Sequence, residues 1–203
     1  LKVIIMDRRN LGRSEVSFAN AEPMAGEEAE DLHVLLQRLD IDSAIFYGMS
    51  SGSRSNMVLA ERYPEQVDAL IIAPLTGGPI AAQRLSEEYF LSYVRDDSLI
   101  SMEAVAQTPL WKGYMERNSP ELQKIFMEQN IDDFLATMKM TGEFLASFHA
   151  KTTLGMTDEQ LMSLEVPATL ILHHGQEIDF LHPKVNARAA TTLLQNSTFK
   201  IAP

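Results

Sequence analysis

The stretch FYGMSSGSRSNMVLAERYP, from Phe46 to Pro64, sets Gly48, Ser50 and Gly52 in strict alternation between an apolar run and a helix-forming run. A serine on a sharp strand-to-helix bend exposes its hydroxyl for attack on a carbonyl carbon. Small residues two before and two after Ser50 let the backbones pass closely at a strained angle. The next backbone N–H, that of Ser51, would face the oxygen of the attacked carbonyl. The start of the following helix adds a field that favours negative charge there. The plain alternative is a turn without chemistry. A G-x-S-x-G string arises by chance in roughly one average chain in fifteen of this length. The string alone is therefore weak, and its flanks tip the reading toward a nucleophile.

A serine nucleophile needs a base, and the chain has five histidines. His33 falls in a helix near its apolar stripe and reads as structural. His149 closes a helix. His173 and His174 are neighbours on a strand-like run, which would send their side chains to opposite faces and keep them from serving one metal. His182 stands directly before Pro183. None of the five is a convincing base on spacing alone. The run HHGQEIDFLH raises a metal site through its histidines with Glu177 and Asp179, but the spacing matches no familiar ligand pattern. No metal and no cofactor are expected. The absence of cysteine removes disulfides, thiolate ligands and a thiol nucleophile.

The elements around these residues alternate. Val3 to Met6 is short and apolar and predicts a buried strand, followed by the polar loop DRRNLGRSE. Gly26 to Leu39 carries Ala29, Leu32, Leu35, Leu36 and Leu39 on one helical face. Ala44–Tyr47 predicts a strand, Ser53–Tyr63 a helix closed by Pro64, and Val67–Ala73 a strand. This order predicts a parallel sheet with crossover helices. From about Pro79 to Ser163 strands give way to helical periodicity, with Ser119–Pro120 as a helix start and Thr157 with Gln160 as a capping box. Seven of the 11 methionines lie there, read chiefly as irregular core and secondarily as pocket wall. Strand logic returns at VPATLILHHG and STFKIAP, with a helix from about Pro183 to Asn196 between them.

The chain has 203 residues and a net charge of −11, which argues against a nucleic-acid partner. No apolar run approaches membrane-spanning length, and a cytoplasmic protein acting on a small molecule is expected, with no oligomeric state implied. The chain opens on Leu1 inside an apolar run and closes on another strand, which predicts a segment of a longer chain.

With these residues in view the chain resembles the α/β-hydrolase family. VIIMDRRNLGRSE is similar to the family's D-x-R-G-x-G-x-S, carried by Asp7, Arg9, Gly12 and Ser14, with Asn10 where glycine is usual. ERYPEQVDALIIAP resembles the family's helix end and next strand, and HHGQEIDFLHP its acid loop. The resemblance implies a mostly parallel sheet flanked by helices, with core segments 1–78 and 164–203 and a helical cap, 79–163, inserted between them. It implies Ser50 as nucleophile, Asp179 as the acid that orients a histidine, with Glu177 as its alternative, and Ser51 as oxyanion donor. The family's histidine and its second oxyanion donor are expected outside these 203 residues.

The expected activity is a serine hydrolase acting on a small, moderately apolar ester, amide or C–C ketone. A non-catalytic, ligand-binding member of the same fold is the alternative. A third reading keeps Ser50 for cofactor-free lyase or perhydrolase chemistry.

Overall fold

In the computed structural model, residues 2–202 other than 177 are described. The elements in order are α1 (Met24–Arg38), β1 (Ala44–Gly48), α2 (Ser51–Arg62), β2 (Val67–Ile72), α3 (Pro79–Ser86), α4 (Ser92–Val94) and α5 (Met102–Ala106). They continue as α6 (Pro109–Arg117), α7 (Pro120–Met127), α8 (Ile131–Ala146), α9 (Asp158–Ser163), β3 (Thr169–His173), α10 (Lys184–Leu193) and β4 (Ser197–Ile201). The four strands form one sheet in the order β1-β2-β3-β4, all parallel. From α1 onward the strand–helix alternation predicted from the sequence is found, with boundaries moved by at most three residues.

Burial explains which side chains define each element. On β1, Phe46 turns inward while Ile45 and Tyr47 face out. On β2, Val67, Leu70 and Ile72 turn inward. These pack with Ala29 and Leu36 of α1, with Met57 to Ala60 of α2, and with Ala187 and Ala190 of α10 in one apolar core. The Val, Leu, Ile, Phe and Met side chains among them each contribute about 1.5–3 kcal/mol on full burial. Arg62 ties α2 to the chain before it through ion pairs with Glu22 and Glu30.

The helices between β2 and β3 bury a second core of their own. Phe18, from the loop before α1, sits at its centre in edge-on contact with Trp111, Phe126 and Phe134, at centroid distances of 5.6, 5.9 and 5.0 Å. Its carbonyl also accepts from the Thr137 hydroxyl of α8. Met102, Met138 and Met156 are fully buried, so these methionines serve as core. The capping box at Thr157 and Gln160 is present in both directions.

One predicted strand is missing. Val3 and Ile5 are 70% and 91% exposed, and residues 2–7 pair with no strand among the described residues. An apolar run becomes a strand only when a neighbour takes its N–H and C=O groups. No helix among the described residues is long and apolar enough to cross a membrane.

The loop after this segment is built as its residues require. Gly12 has φ +57°, and a Cβ there would stand 2.2 Å from the Asp7 carboxyl carbon. The Asp7 carboxylate accepts from the Arg13 N–H at 3.1 Å, and the Ser14 hydroxyl donates to the Asp7 carbonyl at 2.5 Å. Arg9 grips Asp31 of α1 with two hydrogen bonds of 3.1 and 2.6 Å. Asn10 has φ +66°, a conformation glycine adopts most readily and asparagine next. The asparagine thus meets the same backbone demand as the glycine of the resembled pattern.

Candidate active site

β1 ends at Gly48 and α2 begins at Ser51, so the chain turns from strand to helix in two residues. Ser50 takes the bend at φ 48°, ψ −108°, a strained conformation for a residue with a Cβ. Several bonds hold it there. The Ser50 N–H donates to the Pro74 carbonyl at 3.1 Å, the Ala73 N–H to the Gly48 carbonyl at 2.9 Å, and the Ser53 hydroxyl to the same Gly48 carbonyl at 2.7 Å. A Cβ on Gly48 would lie 2.7 Å from the backbone of Gly52, so glycine is required at that position. At Gly52 a Cβ would meet nothing within 4 Å. The close approach expected from both glycines is therefore made by Gly48 alone.

A serine at the start of a helix ordinarily caps it by accepting from a first-turn amide. Ser50 makes no such bond. Its Oγ instead lies 2.9 Å from His182 Nε2 and 3.3 Å from the buried Thr76 Oγ1. The Gly52 N–H goes to the Met49 carbonyl and the Ser53 N–H to the Ser50 carbonyl. The Ser51 N–H is a first-turn amide, for which the helix itself supplies no acceptor. The Ser51 side chain is occupied, its Oγ accepting from Arg8 at 2.9 Å, and Arg8 is paired in turn with the buried Glu28.

Asp179 lies in the loop between β3 and α10. Its Oδ1 accepts from the backbone N–H groups of Leu181 and His182 at 2.9 and 3.0 Å. Its Oδ2 accepts from His182 Nδ1 at 2.9 Å and from His174 Nε2 at 2.8 Å. Burial pushes this carboxyl upward, but the hydrogen bonds from His182, His174 and the two amides outweigh it and hold Asp179 well below the usual carboxylate range. With an acceptor-only carboxylate on Nδ1, the neutral His182 ring carries its proton there. Nε2 is left with a lone pair facing the Ser50 hydroxyl.

Two neighbours brace the His182 backbone and its carboxylate partner. His173 is buried, accepts at Nδ1 from the Gly175 N–H at 3.0 Å, and donates from Nε2 to the His182 carbonyl at 2.9 Å. His174 accepts at Nδ1 from the Gln176 N–H at 3.2 Å while its Nε2–H holds Asp179. The two rings lie 4.5 Å apart, centroid to centroid. The strand ends at His173, so the face alternation expected of the pair does not extend to His174.

Ser50 and Asp179 thus come together, linked by His182, which spacing alone does not single out as a base. The relation of His182 to Ser50 is tertiary, and its i, i+3 spacing from Asp179 is the one local signal in the sequence. His33 stacks on Tyr63 and bonds Gln66, away from this cluster. Glu177, the alternative acid, lies outside the described residues. A groove of about 490 Å³ beside Asp179 is walled by Ile80, Ile178, Phe180 and Val185, but neither Ser50 nor His182 lines it.

No protein-family model matches the chain, and no curated protein matches it. Solved structures do. A hydrolase from Pseudomonas aeruginosa aligns at a TM-score of 0.59 and 20% identity, over 97% of this chain and 69% of its own. A thermophilic esterase from Thermogutta terrifontis aligns at 0.57 and 20% identity, over 97% and 69%. A 2-hydroxy-6-oxo-6-phenylhexa-2,4-dienoate hydrolase from a Rhodococcus strain aligns at 0.57 and 20%, over 96% and 69%. With its parallel sheet and flanking helices, the chain has the α/β-hydrolase fold.

Proposed function

We propose that this chain is a serine hydrolase in which Ser50 is the nucleophile, His182 the general base and Asp179 the carboxylate that orients it. The observation that carries the reading is the continuous relay from Ser50 Oγ through His182 to Asp179 Oδ2, with both links at 2.9 Å. These distances lie within the reach that proton transfer requires.

In this mechanism Ser50 Oγ attacks the substrate carbonyl carbon while its proton passes to His182 Nε2. The charge on the new imidazolium is balanced by Asp179, which stays ionised. The carbonyl oxygen becomes an oxyanion and accepts from the Ser51 N–H, aided by the positive end of α2. Collapse of the tetrahedral adduct breaks the bond to the leaving group, which takes the proton from His182 Nε2. Water then repeats the sequence on the acyl-serine, giving up its proton to His182, and regenerates the Ser50 hydroxyl. Thr76, 3.3 Å from Ser50 Oγ, limits the rotamers open to the hydroxyl.

The proposed substrate is a small, moderately apolar ester, amide or C–C ketone. That an esterase and a hydrolase of a phenyl-bearing oxo-dienoate have this fold supports the range. The helical segment 79–163 is proposed to act as a cap over the site. The test is covalent labelling with a fluorophosphonate, followed by turnover of p-nitrophenyl esters. One label per chain, absent in Ser50→Ala and in His182→Ala, with matching loss of turnover, supports the reading. Equal labelling of all three proteins sinks it.

A further inference from the structure

His174, Asp179 and His182 do more than a hydrolytic relay needs. A relay uses one imidazole on the carboxylate, and here two imidazoles converge on the single oxygen Oδ2, from 2.8 and 2.9 Å. His174 Nε2, Asp179 Oδ2 and His182 Nδ1 all lie within 4.8 Å of one another. We infer that these three atoms form an inhibitory site for a zinc-like divalent cation, with His174 as the ligand dedicated to the metal.

The chemistry fits such an ion. Zinc takes nitrogen and carboxylate ligands at about 2.0–2.2 Å, and three protein ligands plus water make a common four-coordinate set. The three ligands come from one nine-residue stretch, 174–182, closed by the left-handed Gly175 at φ +77°. A cation can enter from solvent because the His174 side chain is 32% exposed, while Asp179 and His182 are 19% and 14% exposed. The ionised carboxylate supplies charge. The backbone N–H groups of Leu181 and His182 keep its other oxygen fixed, the support that metal-binding carboxylates need.

Binding would require both imidazoles to change tautomer. The Nδ1 proton of His182 moves to Nε2, and the Nε2 proton of His174 moves to Nδ1, so each ring stays neutral and no proton is released. The second shift costs His174 the 3.2 Å bond from Gln176, a long bond in an exposed loop. The first has the functional consequence. With its proton on Nε2 and its Nδ1 lone pair on the metal, His182 can only donate toward Ser50 Oγ. The base is then switched off without any movement of the serine. This consequence rests on the serine-hydrolase reading, whereas the metal site itself does not.

The experiment is equilibrium dialysis with zinc, and cobalt(II) titration followed by its visible ligand-field band, on wild type, Ser50→Ala and His174→Gln. Expected are one tightly held ion per chain and a tetrahedral cobalt band in wild type and in Ser50→Ala, with both lost in His174→Gln. In esterase assays the zinc concentration giving half inhibition should rise at least about tenfold in His174→Gln, each protein being compared with its own metal-free rate. Absence of bound zinc in wild type overturns the site, whatever the variant does. Retention of the ion in a folded His174→Gln overturns the assignment of His174. Equal zinc inhibition of wild type and His174→Gln overturns the switch, and absence of esterase activity in metal-free wild type, with metal binding intact, overturns the hydrolase reading and the inhibitory consequence together while the ion site stands.

Discussion

The buried imidazole of His173 donates from Nε2 to the main-chain carbonyl of His182 at 2.9 Å, so the residue facing Ser50 is held through its backbone from the end of β3. The His182 ring is fixed separately by Asp179. Backbone and ring orientation thus have independent anchors.

Removing the backbone anchor should misplace the ring without removing it. His173→Leu is expected to lower kcat about 10–100-fold with little change in KM, since small misplacements of a reacting group are costly. His173→Gln, which can still donate to the carbonyl, should recover part of the loss. Steady-state kinetics of the pair checks this, and a KM effect without a kcat effect would contradict a positioning role.

The ring itself should matter more. His182→Ala is expected to cut kcat by about 10²–10⁴-fold, and Ser50→Ala at least as much. The double variant should be little worse than either alone, because residues acting as one unit are not additive. Single-turnover kinetics on the three proteins would read this out, and full additivity would mean the two residues act separately.

The two glycines around Ser50 should behave oppositely. Gly48→Ala drives a Cβ to within 2.7 Å of the Gly52 backbone and is expected to destabilise by about 1–3 kcal/mol. Gly52→Ala faces open space in the first turn of α2 and should stabilise by up to ~1 kcal/mol. Thermal unfolding distinguishes them, and equal destabilisation would refute the difference.

Acid should weaken the tie between α2 and the segment before α1. The hydrogen bond from Arg62 is the main cause that holds the Glu22 carboxyl below the ordinary glutamate range, with burial opposing it. A lowered folded-state pKa stabilises the fold above the unfolded value, and that contribution is lost as pH falls through the folded one. Because the pair is largely solvent-exposed, Arg62→Gln should cost no more than about 1 kcal/mol at neutral pH. The cost should fade once acid has protonated Glu22. Urea unfolding at the two pH values tests the sign, which would be wrong if the cost grew in acid.

What the sequence could disclose follows the range of the interaction involved. The bend at Ser50 was legible because a sharp strand-to-helix turn makes its demands on adjacent residues. The capping box at Thr157 and the helix start at Ser119 were legible for the same reason. Val3 to Met6 misled because a strand needs a neighbour that its own residues cannot encode. His182 was missed because its contact with Ser50 exists only after the sheet brings the ends of β1 and β3 to the same edge. Pairing of His174 with His182 on one oxygen was likewise hidden, since it depends on the course of the loop after Gly175.

That loop also bears on how the site could arise and change. The residues from His173 to His182 hold the carboxylate, its imidazole and both supporting histidines, all local in the chain. Ser50 alone is distant, 132 positions from its partner. Bringing Ser50 to His182 therefore hinges on a single long-range encounter, with the Asp179–His182 pair able to form as soon as its own loop closes. The helices between are not independent of that pair: Leu181, which lies between its two residues, packs against the apolar cluster of α3 and α8, and its carbonyl accepts from the Gly77 N–H at 3.2 Å. Under the proposed function, a change in the helices proposed to cover the site would therefore also reach the loop that carries the proposed acid and base.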